Sequence, residues 1–299
     1  MTGPRVVLVV KKTPYSRYVE EENDPEVRRL VKKKDPSVAM WVSSHREHVV
    51  TLAVVERALK DLGARVWKLQ APRAVFDASD AVLVVTVGGD GTLLAASHHV
   101  GGKTPIIGVN SSPHSSVGFF CASRRGNVEN MLARALSGKM KSIRLSRMKV
   151  TQNGRVISRR VLNEALFSHE TPAAASRYVV AYDGHREEQV SSGFWVGTAA
   201  GSTGASHSAG GDILPLGSRR LQFVVREPFA GGGWVYRMTK LLCASGKSIS
   251  VTNRMRDACL FLDGPFQRIS VRLGDKLEFS VSEDPLHVLG LDPHRGRRR

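Results

Sequence analysis

Between residues 5 and 145 short apolar runs alternate with longer amphipathic stretches, a rhythm that selects βαβ units on a mostly parallel sheet. The runs are RVVLVV (5–10), ARVWKL (64–69), DAVLVVTV (80–87) and TPIIGV (104–109). Helical spacing fits 46–63, closing on Gly63, and 127–138. Segment 11–45 is charged, has prolines at 14, 25 and 36, and is expected to be a long, partly helical excursion from the first strand. After residue 146 the period drops to two, with hairpin signals at Asn153-Gly154, Asp183-Gly184 and Gly274-Asp275. The chain therefore reads as a doubly wound α/β domain over 1–145 and an antiparallel β-sandwich domain over 146–284. A last segment, 285–299, is expected to return to the first domain before a basic tail.

Charge narrows the partners. A formal net charge of +17, from 44 Lys and Arg against 27 Asp and Glu, predicts anionic ones. Clusters at 31–35 (VKKKD) and 294–299 (HRGRRR) carry part of the excess, the second reading as a solvated tail. Aromatic residues make up only 6% and are not interleaved with basic ones, so no specific nucleic acid is expected. Three cysteines, Cys121, Cys243 and Cys259, form no CxxC pair and suggest neither a disulfide framework nor a zinc knuckle. A cytoplasmic location fits best, because VVLVV at 6–10 is followed at once by two lysines with no cleavage site. No run approaches the ~18 apolar residues of a membrane span, so no membrane partner is expected. His98 and His99 are neighbours that would point about 100° apart on a helix, so no resident metal is expected there.

Two glycine-rich loops carry the chemistry. GGDGT (88–92) follows a buried strand and opens a helix, the place where an open parallel sheet offers free amide N–H groups to an anion. Asp90 beside a bound phosphate is repulsive unless a metal or a proton transfer is involved, which points to a base or a metal-coordinating group in phosphoryl transfer. The plainer alternative is an aspartate that stabilises a turn or caps a helix. Neither the dinucleotide fingerprint nor the Walker pattern occurs here. The second loop, GTAAGSTGASHSAGG (197–211), has glycines and hydroxyls in the β half.

GGDGTLL (88–94), GVN (108–110) followed by GFF (118–120), LNEA (162–165), GSTGASHSAGG (201–211) and LDG (262–264) resemble, in that order, the NAD kinases. The lengthened GVNSSPHSSVGFF, SSG (191–193), REP (226–228) and RDACLFLDG (256–264) look closer to the divergent mitochondrial-type branch. The resemblance implies a Rossmann-like first domain, and transfer of the γ-phosphoryl of ATP, with Mg²⁺ or another divalent cation carried by the nucleotide, to the 2′-hydroxyl of the adenosine ribose of NAD. It implies Asp90 as catalytic base, with Gly88, Gly89, Gly91, Thr92, Gly201 and Ser202 holding ATP phosphates. It places Phe119, Asn163, Glu164, Thr203, Gly204, Ser208 and Asp263 at the dinucleotide, though an Asp-Gly pair such as Asp263-Gly264 is also an ordinary turn. A homo-oligomer, dimer or tetramer, is implied as well.

Two positions depart from the pattern. Ala205 stands where an aromatic ring is usual, and Ser192 where many members have an acid. They motivate an alternative, a non-catalytic nucleotide-binding regulator on the same scaffold. A lipid kinase shares the GGDGT loop but is not expected to share the NE pair or the loop at 201–211.

Overall fold

The structure is a computed structural model and describes residues 3–70, 75–231, 233 and 235–295. Residues 296–299 of the basic tail lie outside the described residues. The chain divides into two compact units, Met1–Ile143 with His287–Asp292, and Arg144–Leu286 with Pro293–Arg299.

In the first unit the apolar runs become β1 (Arg5–Val10), β2 (Arg65–Leu69), β3 (Leu83–Gly88) and β4 (Ile106–Asn110), followed by β5 (Cys121–Arg124) and β6 (Ser142–Leu145). The sheet runs β2-β1-β3-β4, continues through the last strand, Leu286–Leu289, to β6, and carries β5 beside β4. Strands β1 to β4 are parallel, with Val7 facing Trp67 on one side and Val84 on the other. β3 and β4 are buried along their whole length, which is why they read as continuous apolar runs. The sheet grows away from β1 in both directions, so the crevice beyond the carboxyl ends of β1 and β3 is a topological switch point, where such sheets bind ligands.

Helices cover this sheet. The 11–45 excursion forms a single π-turn (Ser16–Glu21) and α1 (Pro25–Lys32). The helix expected over 46–63 is α2, Pro36–Asp61, ten residues longer at its start. Asp35 caps it, accepting from the Ser37 N–H at 2.9 Å, with Pro36 in the first turn. The early turns escaped the periodicity because their apolar residues fall together at 38–42, of which only Val38 is buried, and the next inward position is Ser44. α3 (Asp90–Ser97) follows β3 directly, and α4 (Val128–Leu136) matches the second expected helix.

The second unit is a sandwich of two six-stranded antiparallel sheets. One contains β7 (Met148–Gln152), β8 (Arg155–Val161), β10 (Ser176–Tyr182), β11 (His185–Ser191), β15 (Ser248–Asn253) and β18 (Lys276–Val281). The other contains β9 (Glu164–His169), β12 (Phe194–Gly197), β13 (Leu221–Val225), β14 (Lys240–Cys243), β16 (Ala258–Leu262) and β17 (Gln267–Val271). At its centre the Phe194 ring meets Phe167 and Phe223 from its own sheet and Tyr178 and Phe279 from the facing one, at centroid distances of 4.8–6.1 Å. A fifth helix, α5 (Ala205–Ser208), is a single turn in the loop after β12.

The first two hairpins form, with both turn residues at positive φ: Asn153 (51°) and Gly154 (79°), Asp183 (52°) and Gly184 (81°). The third signal makes a turn, with Gly274 at φ 85°, but joins β17 to β18, which lie in opposite sheets. The Asn253 backbone captures this turn instead, donating to Asp275 O and accepting from the Gly274 N–H. None of the three cysteines is in a disulfide, and all three are buried. Among the described residues no helix is long and apolar enough to cross a membrane.

One fully buried cation holds the start of the sandwich. The Arg147 guanidinium donates to Asp284 O at 2.6 Å and pairs with the Asp284 carboxylate, also at 2.6 Å. Burial pushes its pKa down to about 10 against the pull of Asp284. Replacing Asp284 by alanine strands that charge, and is expected to destabilise the protein by about 3–5 kcal/mol, read as a lowered urea midpoint by circular dichroism.

Candidate functional site

Strand β3 delivers Gly88 and Gly89 to the switch point, and α3 starts at Asp90 with Gly89 as its cap residue. The glycines are needed chiefly by their neighbours in the fold. A Cβ on Gly88 would come within 2.2 Å of Thr92 Oγ1, and one on Gly89 within 2.4 Å of Ser116 Oγ. Gly91 is exposed and would meet nothing within 4 Å, so its side of the turn is open to a ligand. Asp90 does not cap its own helix. Its carboxylate reaches across to the GFF turn, accepting the Phe119 N–H on one oxygen and the Phe120 N–H on the other, both at 2.8 Å. Two of its roughly four lone-pair positions remain free.

The GVN segment is fixed from behind. Asn110 donates to Ser116 O at 3.0 Å and lies so close to Gly118 (φ 61°) that a Cβ there would be 2.3 Å from Asn110 Nδ2. Helix α2 holds the following serines: His48 shares a 2.9 Å hydrogen bond with Ser111, Thr51 donates to Ser111 O, and Glu47 accepts from Ser112 Oγ at 2.6 Å. Burial first, and the charge of Lys11 second, push the His48 pKa down to about 4.

In the second unit the NE pair opens β9. The Asp263 carboxylate, from the β16–β17 turn, accepts the N–H groups of Leu162 (2.7 Å), Asn163 (2.7 Å) and Glu164 (3.1 Å). Asp263 sits at φ 51° and Gly264 at 104°, a left-handed pair that aims the carboxylate at that backbone. Asn163 Oδ1 is buried and has no hydrogen-bond partner among the described residues, an acceptor waiting for a donor. Burial, and then the negative charge of Asp263, push the Glu164 pKa up to about 7.

The loop after β12 folds onto this pair. A Cβ on Gly201 would fall 2.4 Å from Asn163 O and 2.8 Å from Glu164 Oε2. Ser202 is 2% exposed and spent internally, donating to Ala199 O and accepting from the Leu214 N–H. Thr203 is half-buried, and Gly204 and Ser208 are exposed. Asn163, Glu164, Gly201 and Asp263 therefore form one cluster, with Thr203, Gly204 and Ser208 on the loop beyond it. Sequence reasoning missed a cavity of about 560 Å³ beside Glu164, walled by Ser192, Trp195, Arg226 and Phe261. Arg226 lies over the Trp195 ring at 5.8 Å. Among the described residues no group of three His, Cys, Asp or Glu side chains could hold a metal ion.

The chain as a whole is similar to known proteins. A family model described as the ATP-NAD kinase N-terminal domain matches residues 5–140. A probable NADH kinase of Oryza sativa subsp. japonica is 35% identical over 231 residues, covering 70% of this chain and 71% of the relative. An NADH kinase of Arabidopsis thaliana is 35% identical over 240 residues, covering 70% and 73%. The NAD kinase of Brucella suis biovar 1 is 34% identical over 205 residues, covering 67% and 73%. The fold is similar to that of an NAD kinase from Archaeoglobus fulgidus crystallised with ATP: TM-score 0.69, 22% identity, 98% of this chain and 96% of that one. It is also similar to yeast NADH kinase complexed with NADH, at TM-score 0.68 and 16% identity over 100% and 86% of the chains.

The raised Glu164 pKa has a consequence for stability. A carboxyl that binds its proton more tightly when folded contributes stability fully below pH ~4.5, and that contribution is lost as pH rises through about 7. Glu164→Gln is expected to flatten this part of the stability–pH curve, by about 3 kcal/mol at most. Nuclear magnetic resonance of the carboxyl carbons, showing one Glu titrating near 7 that vanishes in the variant, checks the assignment.

Proposed function

The chain belongs to the NAD kinase family, and on that premise we propose that it transfers the γ-phosphoryl of ATP to the 2′-hydroxyl of the adenosine ribose of NAD, giving NADP. The observation that carries this reading is the pairing of two prepared sites. One is a glycine turn at a sheet switch point with an anchored carboxylate. The other is an NE pair with an unmet buried acceptor, Asn163 Oδ1. The first suits phosphates and the second suits sugar hydroxyls.

Asp90 accepts the proton of the attacking 2′-hydroxyl. The two amide N–H groups that grip it fix its direction, so the hydroxyl meets a carboxylate that needs no reorganisation. Phosphoryl transfer of this kind proceeds through a loose transition state in which positioning outweighs base strength. Gly88 and Gly89 shape the turn, the Thr92 N–H is spent on Gly89 O at 3.0 Å, and Gly91 leaves the open space through which a phosphate approaches the start of α3. Asn163 and Glu164 hold the ribose and Asp263 positions them. Near neutrality Glu164 is partly protonated, so it can donate to the dinucleotide as well as accept from it. Gly201 lets the second loop close onto the pair, Phe119 and Thr203 line the dinucleotide, and Gly204 and Ser208 extend that surface. A divalent cation such as Mg²⁺, bound with the triphosphate, would offset its charge at the Gly88–Thr92 turn.

Purified protein with ATP, Mg²⁺ and NAD or NADH is expected to form NADP or NADPH in a coupled assay. Asp90→Asn is expected to lower kcat by about 10²–10⁴-fold and to lower the unfolding midpoint modestly, because an amide offers one acceptor oxygen to the two N–H groups of Phe119 and Phe120 while the fold is kept. Absence of any phosphorylated dinucleotide with ATP or polyphosphate, from protein that binds NAD, overturns the reading in favour of a regulator.

A further inference from the structure

The roles assigned so far use no side-chain cation, yet one stands at the phosphate turn. Strand β1 ends at Val10, and the next residue, Lys11, donates its backbone N–H to Val87 O at 2.9 Å. This hydrogen bond fixes Lys11 at the carboxyl ends of β1 and β3, on the switch point itself. The stem of its side chain lies against the turn, since a Cβ built on Gly88 would come to 3.0 Å from Lys11 Cβ.

Among the described residues the ammonium has no counter-ion. Among the described residues no carboxylate lies within ion-pairing distance of Lys11, whereas its neighbour Lys12 pairs with Glu21. Two carboxylates of the surrounding helices have other partners, Asp90 the Phe119 and Phe120 amides and Glu47 the Ser112 hydroxyl. His48, whose ionisation Lys11 opposes, offers no negative charge. Partial burial lowers the Lys11 pKa from its ordinary value, the mark of a cation that has lost water without gaining a partner. Such a group costs free energy until an anion meets it.

We propose that Lys11 is a phosphate-binding residue, its ammonium serving as counter-ion to the donor's triphosphate at the Gly88–Thr92 turn. The proposal rests on the kinase reading for the identity of the donor, but the binding of phosphate can be measured apart from turnover. A lysine at this point acts as a flexible point charge, suited to a phosphate chain that shortens by one group during the reaction. Lys11 therefore favours donors with several linked phosphates over the dinucleotide, and its loss falls on one substrate.

The test compares Lys11→Met, which keeps the stem and removes the charge, with Lys11→Arg. Titration calorimetry with ADP and with inorganic tripolyphosphate, without dinucleotide, is expected to show about tenfold weaker binding in the Met variant and near-native binding in the Arg variant. In the assay the KM for ATP rises by a similar factor while the KM for NAD stays within about twofold, a split that general loss of structure does not produce. The unfolding midpoint stays level or rises, because an unpaired cation has been removed. If Lys11→Met does not fold, Lys11→Gln carries the same comparison. Unchanged tripolyphosphate affinity, or equal rises in the two KM values, overturns the proposal. If the wild-type chain phosphorylates neither NAD nor NADH, the kinase reading fails alone, and the tripolyphosphate comparison still decides whether Lys11 binds phosphate.

Discussion

Both candidate loops depend on a carboxylate that accepts from consecutive backbone N–H groups. Asp90 takes two, from the turn at 119–120, and Asp263 takes three, from the segment at 162–164. Backbone donors withdrawn from water must find acceptors, and an acidic side chain supplies a stronger one than a neutral group, worth about 1.5–3 kcal/mol per bond. A helix-capping aspartate would have stiffened only its own helix. By reaching about thirty residues along the chain in one case and a hundred in the other, these carboxylates make separate segments move as one piece. The parts meant to touch substrate are thus held by bonds that do not involve substrate, which is what preorganisation requires.

The glycines follow from the same crowding. Gly88, Gly89 and Gly201 all have ordinary or extended backbone angles, so freedom of φ does not explain them. They are glycines because Thr92, Ser116, Asn163 O and Glu164 occupy the space a side chain would need. Gly91 alone in the turn has open space before it, and only there is the absent Cβ a gap that a phosphate can use.

The frame of this fold was legible wherever burial is continuous. β1, β3 and β4 are apolar but for Arg5, Thr86 and Asn110 because both faces are covered, and the period-two texture of the second unit follows from one face meeting the Phe194 core. What escaped reading was polar and buried, or distant in sequence. The first ten residues of α2 bunch their apolar residues at 38–42 instead of spacing them helically, and only Val38 and Ser44 among the ten face inward. The turn at Gly274 has local hairpin chemistry, but which sheet its strands join is decided by Asn253, some twenty residues away. The resemblance singled out Asp263 and Glu164, but not that one positions the other and raises its pKa. Lys11 carried no signal at all, since a lysine after a strand is ordinary until its missing counter-ion is seen.

The two departures at Ala205 and Ser192 take a different meaning from their surroundings. Ala205 is exposed at the start of a single helical turn, so the ring usual at this position is simply lacking. Aromatic surface does occur beside Glu164, supplied by Trp195 of β12 and Phe261 of β16 on the outer face of their sheet, with Ser192 and Arg226 completing the wall. An acid at position 192 would add a negative charge to a wall already shared by Glu164 and Glu227, and would compete for Arg226. Serine leaves Arg226 free to lie over Trp195 and does not drive the Glu164 pKa higher still. The charge lost at 192 and the ring lost at 205 thus have counterparts nearby in Arg226, Trp195 and Phe261. This favours altered substrate contacts on a working enzyme over decay of the site.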